Sequence, residues 1–134
     1  MGPNIKDIGA YIDAATAISP RNSGAATVNG TGLSRDGRRS GVVLGSVGAV
    51  SGAPTAVSIQ FKLQDSADNT TFADVAGASA TATAANSEVE FDVDLSGLKK
   101  FVRVVAVVSF TGGTAPTADI SAALVQGGAE VLPV

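Results

Sequence analysis

The chain has 134 residues, a formal net charge of −3 and only 16% charged residues. This length suits one domain with a buried core, and the weak negative charge offers no basic field to hold a nucleic acid. The sequence shows no apolar run of about 18 residues, so we expect no membrane partner. Histidine and cysteine are both absent. Without the commonest general base, thiol nucleophile and zinc ligands, we expect a protein that is not an enzyme and needs no cofactor.

The first 24 residues differ from the rest of the chain. They hold only a short helical pattern over residues 5–15, and Pro20 and Gly24 punctuate the end of the segment. The segment has no charged start followed by a continuous apolar core, so it is not typical of a signal peptide. We therefore predict an N-terminal arm or lead-in over residues 1–24, followed by a single β-sandwich domain over residues 25–134.

Beyond residue 24 the sequence predicts short strands separated by turn residues. Apolar and polar residues alternate most clearly over residues 56–64, 88–95 and 118–124. Residues 76–87 are rich in Ala, Ser and Thr and fit either a weak edge strand or a loop. Seven or eight strands at this spacing predict an all-β fold, an antiparallel β-sandwich or a jelly-roll-like barrel. The predicted strands are 25–33, 40–50, 56–64, 70–75, 88–95, 101–110 and 118–124.

Four carboxylates alternate along one predicted strand: Glu88, Glu90, Asp92 and Asp94. A period of two places them on one face, about 6.5 to 7 Å apart. Such a strip could bind a cation, face a basic partner, or form a solvated outer face with Arg103 or Lys62 as cross-strand neighbours. We favour the solvated face, because carboxylates along one strand need further ligands to enclose calcium.

A second group with side-chain oxygens that could bind a cation, Asp65, Asp68 and Asn69, lies in a predicted hairpin turn. These residues could hold calcium, but their spacing does not match an EF-hand loop. Local hydrogen bonding between Asp or Asn side chains and the backbone already explains such residues at a turn. We therefore predict a structural role for them.

A basic cluster falls in the polar turn 34–39, and Asp36 neutralises it in part. Arginine binds carboxylates in a fixed fork and is enriched in protein interfaces, so this turn is a candidate contact surface. We predict no catalytic, cofactor-binding or metal-binding residues. The candidate interface residues are Tyr11, Ile12, Arg35, Arg38, Arg39, Arg103 and Phe110.

Two motifs carry a resemblance to a known group of proteins. Residues 61–75, FKLQDSADNTTFADV, follow the hairpin pattern KLQ(D/E)S-x-D-x-TTF-x-DV, and residues 99–104, KKFVRV, follow (K/R)-(Y/F)-V-R-V. With 28–35, 40–44, 48–55 and 112–114 in the same order, residues 25–127 resemble small structural proteins of tailed bacteriophages. A glycine often precedes the Thr pair of that hairpin. Here Asn69 takes its place, and Asn also tolerates left-handed geometry.

The resemblance implies a β-sandwich component of the virion with no catalytic residues. It favours a decoration or stabilising protein on the outer surface of the phage head, which would bind the major capsid protein as a homo-oligomer, with a trimer favoured. A tail, neck or head–tail connector component is the alternative from the same resemblance.

Two readings from other functional classes remain. An extracellular carbohydrate- or protein-binding sandwich is the first, but sugar sites usually present aromatic platforms, and the chain has no Trp and one Tyr. An enzyme with a glycosidase-like pair of carboxylates in the acidic strip is the second. We favour it least, because carboxylates on one exposed strand face have no cleft in which a sugar could bind.

Overall fold

The computed structural model describes residues 12–35 and 38–127, and nine strands form within them. No helix in this part of the chain is long and apolar enough to span a membrane. In chain order the strands are β1 (Asp13–Ser23), β2 (Ala26–Asn29), β3 (Leu33–Ser34), β4 (Ser40–Ser51), β5 (Ala56–Ser66), β6 (Ala73–Ala82), β7 (Ser87–Asp94), β8 (Phe101–Thr111) and β9 (Thr117–Gly127).

The strands form two antiparallel sheets that pack face to face. Sheet A has the order β1-β9-β4-β7, and sheet B has the order β2-β8-β5-β6, with β3 also paired to β8. Alternate residues of β4, β5 and β9 are buried, as expected where each sheet turns one face to a shared core. The predicted all-β sandwich is confirmed.

The core is built around one aromatic ring. Phe61 on β5 is fully buried between the sheets. Gly45 on β4 faces that ring from sheet A, and a Cβ added at Gly45 would overlap it. The glycine therefore makes the space that the ring occupies. Small aliphatic side chains, mostly Val and Ala, fill the remaining interior.

Residues 30 and 31 join the two sheets along one side of the sandwich. The Gly30 amide donates to the Val104 carbonyl of sheet B at 2.8 Å, and the Thr31 amide donates to the Ala17 carbonyl of sheet A at 3.0 Å. A Cβ at Gly30 would overlap both of those carbonyl oxygens. Only glycine permits this close approach of three backbone segments.

The predicted N-terminal arm needs correction over residues 13–23, which form β1. This strand pairs with β9, starting with Asp13 opposite Gln126, and it buries Ala17 and Ile18. Two register shifts interrupt the pairing, between Thr16 and Ile18 and between Ile18 and Arg21. These irregularities break the period of two, so the sequence pattern did not indicate a strand. The predicted helix 5–15 fails over residues 13–15, and residues 1–11 lie outside the described part.

Two other strand boundaries differ from the prediction. The return strand β6 begins at Ala73 rather than residue 70 and continues to Ala82. Of the two alternatives for the low-complexity segment, an edge strand or a loop, the edge strand is therefore confirmed as far as Ala82. The first weak strand, 25–33, is divided into β2 and β3 by the bridging residues Gly30 and Thr31.

We predict that Gly45→Ala lowers the free energy of unfolding by about 1 to 3 kcal/mol, because the new methyl group overlaps the Phe61 ring. Phe61→Ala should cost about 3 to 5 kcal/mol through loss of buried area and the cavity left behind. Urea unfolding followed by circular dichroism measures both. The matched control is Gly97→Ala, where an added Cβ meets nothing within 4 Å. Equal stability of Gly45→Ala and Gly97→Ala would contradict the packing described.

Candidate functional site

The connections at the two ends of the sandwich differ in the charged residues that they contain. At one end lie the connections 24–25, 52–55, 83–86 and 112–116, all of which the structure describes. None of the four contains an Asp, Glu, Lys or Arg. We call this surface the uncharged end. About a quarter of the residues of a typical globular domain are charged, so four connections without a charged residue stand out.

Hydrogen bonds hold the uncharged end in a fixed shape. The Thr114 amide donates to the Gly52 carbonyl at 2.9 Å, which ties the β8–β9 connection to the β4–β5 connection. Ala53 and Ala115 adopt left-handed backbone conformations, with φ of 50° and 44°. Such a conformation is uncommon for Ala and persists where the surrounding structure imposes it. The surface is therefore preorganised as well as uncharged.

The opposite end collects most of the basic residues. The Arg35 Nε donates to the carbonyls of Leu98 and Lys99 at 2.8 and 2.9 Å, which joins the β3–β4 and β7–β8 connections. Arg38 lies 3.6 Å from the Asp13 carboxylate at the start of β1. We call this cluster the basic end. Its residues are Arg35, Arg38, Arg39, Lys99 and Lys100.

The predicted interface residues do not form one surface. Arg35, Arg38 and Arg39 lie together at the basic end. Arg103 lies on the outer face of sheet B, where its Nε donates to Gln64 at 2.9 Å and its guanidinium stacks 4.1 Å from the centroid of the Phe72 ring. Phe110 packs against the core. The two remaining members are Ile12, which lies beside Val42 and Val125 on sheet A, and Tyr11, which lies outside the described residues.

The acidic strip, Glu88, Glu90, Asp92 and Asp94, lies exposed on one face of β7 at the edge of sheet A. Its cross-strand neighbours differ from those we expected. Arg103 and Lys62 belong to sheet B, and the strip instead lies beside Ser46, Leu44, Val42 and Ser40 of β4. Ser96 donates to the Asp94 carboxylate through its hydroxyl and its amide, which lowers the pKa of Asp94. Within the described chain, Glu88, Glu90 and Asp92 form no ion pair.

An apolar stripe runs beside the acidic strip on the outer face of sheet A. We call this stripe the outer patch. In one row Val42 pairs with Val125 on one side and with Asp92 on the other, and in the next row Leu44 pairs in the same way with Ala123 and Glu90. The stripe thus consists of Val42, Leu44, Ala123 and Val125, all half-buried.

Polar side chains on the outer face of sheet B, in contrast, bind one another. The Asp74 carboxylate accepts from Gln64 at 2.8 Å and from the Lys62 amine at 3.2 Å. These two contacts, the Gln64 hydrogen bond first, lower the pKa of Asp74. The charges of this face are therefore largely matched within the chain, whereas those of sheet A are not.

The hairpin between β5 and β6 is organised by Asp68. Its carboxylate accepts from the amides of Thr70 and Thr71 at 2.9 and 3.0 Å and from the hydroxyl of the buried Ser66 at 2.8 Å. These hydrogen bonds, those from Thr71 and Thr70 first, lower the pKa of Asp68 to about 2. Asn69 takes the left-handed conformation with φ of 58°, as expected from its place in the motif. The carboxylate thus serves the turn, in line with the structural role we favoured.

Sequence reasoning missed two features, the uncharged end and the outer patch. The four connections of the uncharged end are far apart in the sequence, so their shared lack of charge becomes visible only when the fold brings them together. The outer patch had a weak signal: in β4 both faces are apolar, with Val43 and Val47 inside and Val42 and Leu44 outside. When both faces of a strand are apolar, the face that points away from the core is also expected to pack against something.

We predict that the Asp68 turn stabilises the fold above about pH 4 and that this contribution is lost as the pH falls toward 2. The sign follows from the lowered pKa, because the folded state favours the ionised carboxylate relative to the unfolded chain. Asp68→Ala should therefore lower the melting temperature at pH 7 and have little effect near pH 2. Asp92→Ala is the control. Carbon-detected NMR should show Asp68 titrating near 2, and a midpoint near 3.8, its unperturbed value, would contradict the prediction.

No protein-family model and no curated protein matches the sequence. Among solved structures, the chain is similar to the SPBc2 prophage-derived protein YomS, with a TM-score of 0.51 and 19% identity over 86% of this chain and 91% of that one. It is also similar to a protein from Bacillus endospore appendages, described as disulfide-linked pili, with a TM-score of 0.41 and 15% identity over 88% and 89% of the two chains. At 19% identity the similarity to the prophage-derived protein shows a shared fold.

Proposed function

We propose that this chain is a non-enzymatic structural component of a bacteriophage particle, a decoration protein that binds the outer face of the head shell and bridges neighbouring shell subunits. The observation that carries the proposal is the sandwich that the chain shares, over nearly its whole length, with a prophage-derived protein. The phage-like hairpin and strand motifs of residues 61–75 and 99–104 support it from the sequence.

The uncharged end is the surface best suited to dock on the shell. Burying a charged side chain costs desolvation, and ordering Lys, Arg or Glu costs about 1.5 to 2 kcal/mol of rotamer entropy, whereas Ala, Gly and Pro cost almost none. The connections 24–25, 52–55, 83–86 and 112–116 consist mostly of Gly, Ala, Pro and Thr. Because the backbone of this end is already fixed, little further ordering opposes binding.

The mechanism is mechanical. Many copies, each in contact with more than one shell subunit, add buried area across the junctions between those subunits. Separating the subunits then requires breaking these contacts too, and the shell resists the pressure of packaged DNA better. Binding through an uncharged surface also predicts weak dependence on salt, because salt screens charges and leaves apolar contacts intact.

We predict that the purified chain sediments with expanded phage heads lacking it, and that Ala53→Asp combined with Ala115→Asp weakens this binding at least tenfold. Two charges would then be buried without partners, and each tenfold loss corresponds to about 1.4 kcal/mol. Asp tolerates the left-handed backbone at both positions, so the fold should persist. Gly97→Asp is the control for an added negative charge, since it places one carboxylate at the opposite end, where an added side chain meets nothing within 4 Å. The single variants Ala53→Asp and Ala115→Asp match it charge for charge.

Cosedimentation at low and high salt measures the binding, and cryo-electron microscopy of the particle locates the chain. Equal binding by the double variant and the control would contradict docking through the uncharged end. Density on the tail or neck would contradict the head-shell role and would favour the tail or connector alternative. Absence of the chain from purified particles would overturn the proposal as a whole.

A further inference from the structure

Three cations of the basic end, Arg35, Lys99 and Lys100, form no ion pair with the residues that the structure describes. Lys99 and Lys100 are exposed, and the Lys100 amine lies over the Phe101 ring, 5.5 Å from its centroid. Arg35 binds backbone carbonyls rather than a carboxylate. Its side chain is thereby held in place while its charge remains available to a carboxylate in another molecule.

The acidic strip carries negative charges that complement the positive charges of the basic end. Glu88, Glu90 and Asp92 follow one another along β7 about 6.5 to 7 Å apart, and their neighbours on β4 are two apolar residues and a serine. Like charges in a row repel each other, and the β4 partners supply no countercharge. A basic partner along this strip would relieve that repulsion.

The apolar outer patch lies directly beside the acidic strip on the same face of sheet A. Val42 and Leu44 lie directly beside Asp92 and Glu90, so a partner that reaches the carboxylates also covers the apolar stripe. An apolar centre bounded by charged residues is the usual construction of a protein interface. The outer face of sheet B offers no equivalent, because Lys62, Gln64 and Asp74 bind one another there.

We propose that the acidic strip and outer patch of one copy bind the basic end of a second copy. The charge complementarity is contained in the chain itself. Three exposed carboxylates, Glu88, Glu90 and Asp92, lie on one surface, and two exposed lysines, Lys99 and Lys100, lie on another with the half-buried Arg35 beside them. With a net charge of only −3, long-range repulsion between copies is weak.

This contact joins two different surfaces, so each copy keeps one free surface of each kind. Such a heterologous contact produces a closed ring if the rotation between copies closes, and an open row if it does not. It leaves the uncharged end exposed on every copy. The inference does not depend on the proposed function, because the contact forms in solution without any particle.

Charge reversal tests the contact. The strip-reversed variant carries Glu88→Lys, Glu90→Lys and Asp92→Lys, and the end-reversed variant carries Lys99→Glu and Lys100→Glu. Each should be monomeric in sedimentation velocity at low salt, where the wild type associates. Mixing the two variants should restore a complex, weaker than that of the wild type, since the lysine strip of one then meets the two introduced carboxylates of the other beside the three arginines that remain. A single chain carrying both sets of changes should associate with itself again.

The apolar part of the contact has its own pair of variants. Val42→Thr on the outer patch should weaken association roughly fourfold, the effect of losing about one buried methyl group. Val107→Thr makes the same change on the outer face of sheet B, where Val107 pairs with Gln60 and is also half-buried, and should leave association unchanged. In about 1 M salt, where the screening length is about 3 Å, the wild type should dissociate.

Several results would overturn the inference. They are a wild type that stays monomeric at low salt, association that survives either reversal, and failure of both the mixture and the doubly reversed chain to associate. If a reversed variant unfolds by circular dichroism, the neutral pair Glu90→Gln and Asp92→Asn takes its place and should weaken association in the same direction. Failure of head binding with intact self-association would count against the proposed function alone.

Discussion

The contact between Phe61 and Gly45 sets the register of the whole sandwich. The chain has no cysteine to cross-link its sheets, and Phe61 is the largest fully buried side chain of the described residues, so the contact of its ring with Gly45 constrains how the layers fit. A shift of β4 by one residue would place Leu44 or Ser46 against that ring and would turn every side chain of the strand to the other face. Because Gly45 must face inward, Leu44 must face outward. The apolar stripe on the surface is thus a consequence of the packing in the core.

The same register also determines which surfaces of the sandwich carry charged side chains. Strand β7 pairs with β4 so that its apolar residues join the core and its carboxylates line the outer edge. The connections at one end then hold arginine and lysine, while those at the other hold none. A chain with a small net charge thereby acquires surfaces of three kinds, acidic, basic and uncharged. Such a molecule can make two contacts of different chemistry at once, one sensitive to salt and one not.

The sequence predicted the parts of the fold that depend on local pattern. Strands β5, β7 and β9 alternate cleanly and were recognised, and Asn69 behaved as its position in the turn motif required. Strand β1 was missed because bulges and Pro20 interrupt its period, and its stability comes from pairing with β9, about a hundred residues away. Pairing between distant segments leaves little trace in a single sequence, so the expected neighbours of the acidic strip were also wrong.

The candidate surfaces were predictable only in part for the same reason. Arg35, Arg38 and Arg39 were identified as a cluster because they are adjacent in sequence. Their tie to Leu98 and Lys99 depends on two connections meeting in space. The uncharged end is assembled from four separate segments, each of which looks like an ordinary turn by itself.

The pairing of Asp13 with Gln126 has a practical consequence for engineering. The chain enters and leaves the sandwich at adjacent positions, and both lie at the end opposite the uncharged loops. A peptide or enzyme fused beyond either position would start from the end of the sandwich that is opposite the uncharged loops. Two different cargoes attached at the two positions would emerge side by side. The fold is therefore suited to carry two foreign sequences next to each other at one end while the other end stays unmodified.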